Sequence, residues 1–208
     1  FIEPWLHWVL AFVSVAVVIV WRLVAQMAER DGRTYGDVLS DVLIAALIQL
    51  YVPFFGSMCL MLLRQDGGER WVLAFIIVAI AADTGAYVTG ITLGRRPGAR
   101  KMAPLISPKK TWDGFGGAVA AALGIGVVLA VYMLHLPWWT GLIFGAAVLT
   151  TATLGDLGES MIKRDVGIKD MSSWVPGHGG VLDRLDSILP STTAALALYY
   201  LLTPLATT

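Results

Sequence analysis

The sequence predicts an all-α polytopic membrane protein with about six transmembrane helices, and three observations carry that expectation. Hydrophobic residues make up 57% of the chain and charged residues only 14%, with a mean hydropathy of +0.72, far from the balance of a water-soluble domain. Apolar runs of nearly bilayer-crossing length recur along the 208 residues and leave no room for a large soluble domain. More than half of the 15 basic and 15 acidic side chains fall in just two segments between those runs, 94–113 and 156–186. Function therefore belongs to helix ends and loops.

The runs lie at about 5–27, 38–63, 71–93, 114–134, 138–155 and 187–203, each near the length that a tilted helix needs. The first carries Trp5, Trp8 and Trp21. Trp71 opens the third, Trp138 and Trp139 open the fifth, and Tyr199 and Tyr200 close the sixth. Aromatic rings near run ends read as interfacial anchors. Pro53 and Gly56 interrupt the second run, where a kink is tolerated if neighbours satisfy the freed backbone groups. In the fourth, Gly116, Gly117, Ala118, Ala120, Ala121, Ala122, Gly124 and Gly126 offer close-packing faces. Residues 1–208 read as a single integral-membrane domain. The chain begins with Phe1 and has no signal-peptide pattern, so it is expected to be the C-terminal part of a longer protein.

Charge placement sets an orientation. The 94–113 loop holds Arg95, Arg96, Arg100, Lys101, Lys109 and Lys110 against Asp113 alone, which makes it cytoplasmic by the positive-inside rule. The 64–70 and 135–137 connections then face outward, and 156–186 returns to the cytoplasmic side beside 28–37. Both charged segments thus share one face of the membrane. The net charge of zero argues against nucleic-acid binding. Cys59, the single cysteine, excludes an internal disulfide and a thiolate metal cluster.

Asp83 stands in the apolar run Ile76 to Tyr87, and a carboxylate there is costly enough to mark a polar cavity or a bond to a neighbouring helix. Ser107-Pro108-Lys109-Lys110-Thr111 precedes a helix that opens with small residues, a setting in which ammonium groups and free N–H groups attract a polyphosphate. A lysine pair that merely sets topology fits the same run. The 155–187 segment is richer. If 155–164 continues helically, Asp156, Glu159 and Lys163 share one face with Ser160 beside them, while Asp183 and Asp186 repeat the i, i+3 spacing before the last run. Oxygen ligands without thiolates or clustered histidines suit a hard ion, Mg²⁺ being the usual case with phosphates. Lys163, Arg164, Lys169 and Arg184 would neutralise phosphate oxygens, and glycines beside His178 let backbone approach a ligand.

Ser160, Lys163-Arg164, Lys169-Asp170, His178-Gly179-Gly180, Asp183-Arg184 and Asp186 follow in the order and spacing of the phosphatidate cytidylyltransferase (CDP-diglyceride synthetase) signature, which this segment resembles. The likeness extends to Asp83 through Tyr87, to Ser107 through Gly114 and to Gly155-Asp156, with Val175 and Asp113 as mild departures. The resemblance implies transfer of a cytidylyl group from CTP to phosphatidic acid, giving CDP-diacylglycerol and pyrophosphate. It implies Mg²⁺ on Asp156 and Asp183 with Asp186 in support, and associates a potassium ion with that centre. Ser107, Lys109, Lys110 and Thr111 would meet nucleotide phosphate or lipid head group. Asp156, Asp183, Asp186, Lys163 and Arg164 are the expected catalytic group. Asp83, Ser160, Lys169, His178, Gly179, Gly180 and Arg184 join the substrate-binding set; His178 is left open between touching phosphate and holding the turn. The expected setting is a bacterial inner membrane with a cytoplasm-facing site, and a homodimer stays open. The rivals are an ion-coupled transporter and another membrane CDP-lipid enzyme. The sequence carries neither an inverted repeat nor the paired-Asp motif of the CDP-alcohol phosphotransferases.

Overall fold

The computed structural model describes residues 4–28, 51–94, 96, 99–165 and 185–205. Helix α1 covers Pro4–Ala28, and the described part of α2 covers Tyr51–Leu63. They are followed by α3, Gly68–Thr92, strands β1, Lys101–Ala103, and β2, Ser107–Thr111, then α4, Trp112–Tyr132, α5, Trp138–Asp165, and α6, Ile188–Leu202, which a short 3₁₀ turn extends. The chain is an all-α polytopic membrane protein. Among the described residues, α3, α4 and α5 are long and apolar enough to cross a membrane, while Phe12–Ala25 within α1, α2 and α6 are shorter apolar helices.

The chain divides into two units, Phe1–Met58 and Cys59–Thr208. In the first, α1 presents Phe12, Val17, Val20 and Trp21 as exposed apolar side chains. The described helix of the second expected run continues across Pro53 and Gly56 without a break, and Ser57 Oγ donates to the Phe54 carbonyl at 2.7 Å. Residues 38–50 of that run lie outside the described part.

In the second unit α4 packs against both α3 and α5, and α6 against α5 and α3. Phe75, Val78, Phe144 and Val148 are fully buried between these helices. Two glycines set the closest approach. A Cβ on Gly85 would stand 2.6 Å from the Gly117 carbonyl oxygen, and one on Gly117 at 2.6 Å from the Gly85 carbonyl oxygen, so only hydrogen fits where α3 meets α4. Gly155 does the same for α5 and α6, since a Cβ there would reach 2.5 Å from Pro190 Cγ.

Three expectations change. Trp71 and Tyr199 are buried, not interfacial: Trp71 makes edge contacts with Phe144 and Tyr199 at ring-centre distances of 5.6 and 5.5 Å. Trp21, Trp138, Trp139 and Tyr200 are exposed, as anchors require. The helix expected to end near 155 runs on to Asp165, with Lys163 and Arg164 in a last turn where cations favour the helix dipole. The first part of the 155–187 loop is therefore helix. The basic 94–113 loop is also partly regular, because β1 and β2 pair antiparallel, with Lys101 opposite Thr111 and Ala103 opposite Ser107. The Trp112 N–H closes that hairpin on the Arg100 carbonyl at 3.1 Å.

Candidate active site

Asp83 lies nine residues before the end of α3 at Thr92, so at about 1.5 Å of rise per residue it sits about 13 Å inside the helix end. On the same face Ala82, Ala86, Tyr87 and Gly90 line a cavity of about 200 Å³, which Gly114, Phe115 and Ala118 of α4 and Leu149, Ala152, Thr153 and Asp156 of α5 complete. The hairpin supplies Met102, Lys109, Lys110 and Thr111. Ala82, Ala86, Gly90, Gly114, Ala118 and Ala152 leave space among the larger Tyr87, Phe115 and Leu149.

The local sequence explains how these groups are held. Thr111 is the N-cap of α4, and its Oγ1 accepts a hydrogen bond from the Gly114 N–H at 3.1 Å. Its hydroxyl thus serves the helix start, although the residue still lines the cavity. The cap ends β2 and begins α4 within one residue, placing Lys109 and Lys110 at the cavity edge. The Lys110 ammonium pairs with the Asp156 carboxylate, each side chain being about a quarter exposed. Ser160 Oγ, one helical turn on, donates to Asp156 Oδ1 at 3.4 Å.

Asp186 and Ser187 bring the start of α6 to the same place. Ser187, buried, donates its Oγ hydrogen to Asp83 Oδ2 at 3.2 Å and its N–H to Asp186 Oδ1 at 2.7 Å. Burial pushes the Asp186 carboxyl up to about 6, and the neighbouring Asp156 and Asp83 charges add to the rise; the Ser187 N–H and Lys163 oppose it. Three carboxylates that repel one another define a place where positive charge is stabilised.

Of the residues expected from sequence, Asp83, Lys109, Lys110, Thr111 and Asp156 share one cavity. Ser160 and Asp186 adjoin it through the contacts just described. Ser107 is instead in β2 opposite Ala103. Lys163 pairs with the buried Glu159 at 3.3 Å, and Arg164 Nε donates to the Ile106 carbonyl at 3.3 Å, tying the end of α5 to the hairpin turn. Lys169, His178, Gly179, Gly180, Asp183 and Arg184 lie outside the described residues. Sequence reading left out Ser187, Tyr87 and Thr153 as site residues. The last two could have been found from helical spacing, at i+4 from Asp83 and i−3 from Asp156.

The donor set is all oxygen, which fits a hard cation such as Mg²⁺. Among the described residues no group of three or more His, Cys, Asp or Glu is arranged to hold a metal ion, and the expected ligand Asp183 is outside them.

The fold and cavity together define a class: an integral-membrane helix bundle with a polar cavity that carries both lysines and carboxylates. The sequence profile of the Cytidylyltransferase family matches residues 2–202, and the chain belongs to that family. It is 39% identical over 204 residues to the phosphatidate cytidylyltransferase of Mycobacterium bovis, which covers 92% of this chain and 65% of that relative. Over 197 residues it is 35% identical to the Mycobacterium leprae protein of the same name, covering 91% and 62%. Against the Synechocystis phosphatidate cytidylyltransferase it is 45% identical over 131 residues, covering 62% and 42%. The chain thus spans somewhat under two thirds of the length of its mycobacterial relatives.

Proposed function

We propose that the protein containing this chain transfers a cytidylyl group from CTP to phosphatidic acid, releasing pyrophosphate and CDP-diacylglycerol. One observation carries the reading: a cavity walled by transmembrane helices presents Lys109 and Lys110 opposite Asp83 and Asp156, in a chain whose relatives are named for that reaction.

The chemistry asks little of a base. An anionic phosphate oxygen of phosphatidate attacks the α-phosphorus of CTP, the bond from that phosphorus to the bridging oxygen breaks, and pyrophosphate leaves with the electron pair. Catalysis is then positioning and charge neutralisation. Lys109 and Lys110 bring positive charge to the phosphates. Asp156 holds Lys110 in place and Ser160 holds Asp156. Asp83 offers an acceptor deep in the cavity. Mg²⁺, bound by Asp156 and Asp183 with Asp186 in support, would supply further neutralisation of phosphate oxygens. The polar end faces the cytoplasm, where CTP is found, and the apolar walls of α3 and α4 admit the lipid from the adjoining leaflet.

Membranes containing the full-length protein, given labelled CTP, phosphatidic acid and Mg²⁺, should form a labelled chloroform-soluble lipid; chelation should abolish it and Mg²⁺ restore it. No labelled lipid overturns the reading. Orientation has its own test. Ser172→Cys in a Cys59→Ala background should react with an impermeant thiol reagent only in inverted vesicles, and Glu69→Cys only in intact cells. Glu69 is preferable to neighbouring Gly67, whose φ of 69° disfavours any side chain.

A further inference from the structure

Ser187 lies one position past the family-like signature, and the reaction as described gives it no part. It is 4% exposed, at the start of α6, and its two donors go to two different carboxylates: Oγ to Asp83 in α3 at 3.2 Å and N–H to Asp186 at 2.7 Å. Its carbonyl in turn accepts from Ser191 Oγ at 2.7 Å, so the residue is held by the first turn of α6. Asp83 and Ser187 are 104 positions apart. Among the described residues this is the side-chain hydrogen bond that joins α3 to the entrance of α6.

We propose that Ser187 is a positioning residue for the cytidylyl-transfer site: its hydroxyl holds the Asp83 carboxylate in the cavity at a fixed distance from Asp186. The inference rests on the proposed function. Asp83 shares its cavity with Ala82, Ala86 and Ala118 and with the cations Lys109 and Lys110, and its side-chain hydrogen bond comes from Ser187. A carboxylate in such walls is free to turn towards the nearest cation, and Lys110 stands beside Asp156 in the same cavity. A hydroxyl from α6 fixes one oxygen and leaves the other for substrate. The N–H bond to Asp186 belongs to the backbone and survives any side-chain change, so substitution at 187 isolates the Asp83 contact.

The test uses the full-length enzyme in membranes. Ser187→Ala should lower kcat/KM about ten- to a hundredfold, the range for a lost hydrogen bond to a charged group, while Ser187→Thr, which keeps the hydroxyl, should recover most of it. The decisive measurement is the double-mutant cycle with Asp83→Ala, which removes the acceptor altogether. If Ser187 acts through Asp83, the double variant is no worse than Asp83→Ala alone. Losses that multiply, or Ser187→Ala within twofold of wild type, overturn the proposal. Should Ser187→Ala also lower the thermal midpoint, the cycle still decides, because a merely structural loss multiplies with Asp83→Ala. An inactive wild type would instead overturn the assigned reaction, so the two failures are distinct.

Discussion

Two stretches of α3 solve opposite problems with the same helix. At its start Trp71 is buried against Phe144 and Tyr199, an apolar joint closed by edge-on rings. Twelve residues on, about 18 Å along the axis, Asp83 faces a cavity shared with Lys109, Lys110 and Asp156. The joint gains dispersion energy by excluding space. The stretch around Asp83 keeps space open and borders it with the Lys110–Asp156 pair and the carboxylate that Ser187 holds. Just past Asp83, α3 and α4 meet at the Gly85–Gly117 crossing, where a Cβ on either glycine would stand 2.6 Å from the other's carbonyl oxygen.

That contrast can be broken from either side. The largest effect on catalysis is expected from Asp156→Asn, which removes the charge facing Lys110 with little change in volume; kcat/KM should fall at least about a hundredfold with the protein still folded and inserted. Activity near wild type would remove Asp156 from the site. Lys110→Gln should cost about tenfold, as Lys109 remains to meet phosphate. If it inverts topology and leaves activity intact, the lysine is an orientation signal. Trp71→Ala should reverse the pattern, lowering stability in detergent by about 3 kcal/mol while kcat/KM per folded molecule stays within about twofold. Asp165→Asn, at an exposed position at the end of α5, should change activity least, by less than about twofold.

Hydropathy located the helices because the demand that lipid makes on a segment is local: a run is apolar for long enough or it is not. The α3, α4 and α6 boundaries fall within a few residues of that reading. Asp83 was legible for the same reason, since a lone charge in an apolar run has few explanations. Trp71 and Tyr199 were not. Lipid and protein interior are both apolar, so a ring facing one looks in sequence like a ring facing the other. The extension of α5 past Gly155 was legible only as an alternative, because polar residues there fit a loop and a helix end equally.

The sequence by itself determined the membrane fold, the order of its helices and the polar residues from which a site would be made. Tertiary structure decided which of them meet. It set Lys110 of β2 against Asp156 of α5, tied Arg164 of α5 to the hairpin, and joined Ser187 to Asp83. Each joins residues far apart in the chain, so its partner is chosen by how closely separate elements approach. That approach is set by glycines such as Gly85, Gly117 and Gly155 acting on neighbours far away in the chain, and a one-dimensional pattern carries composition and period but not the lateral distance between helices.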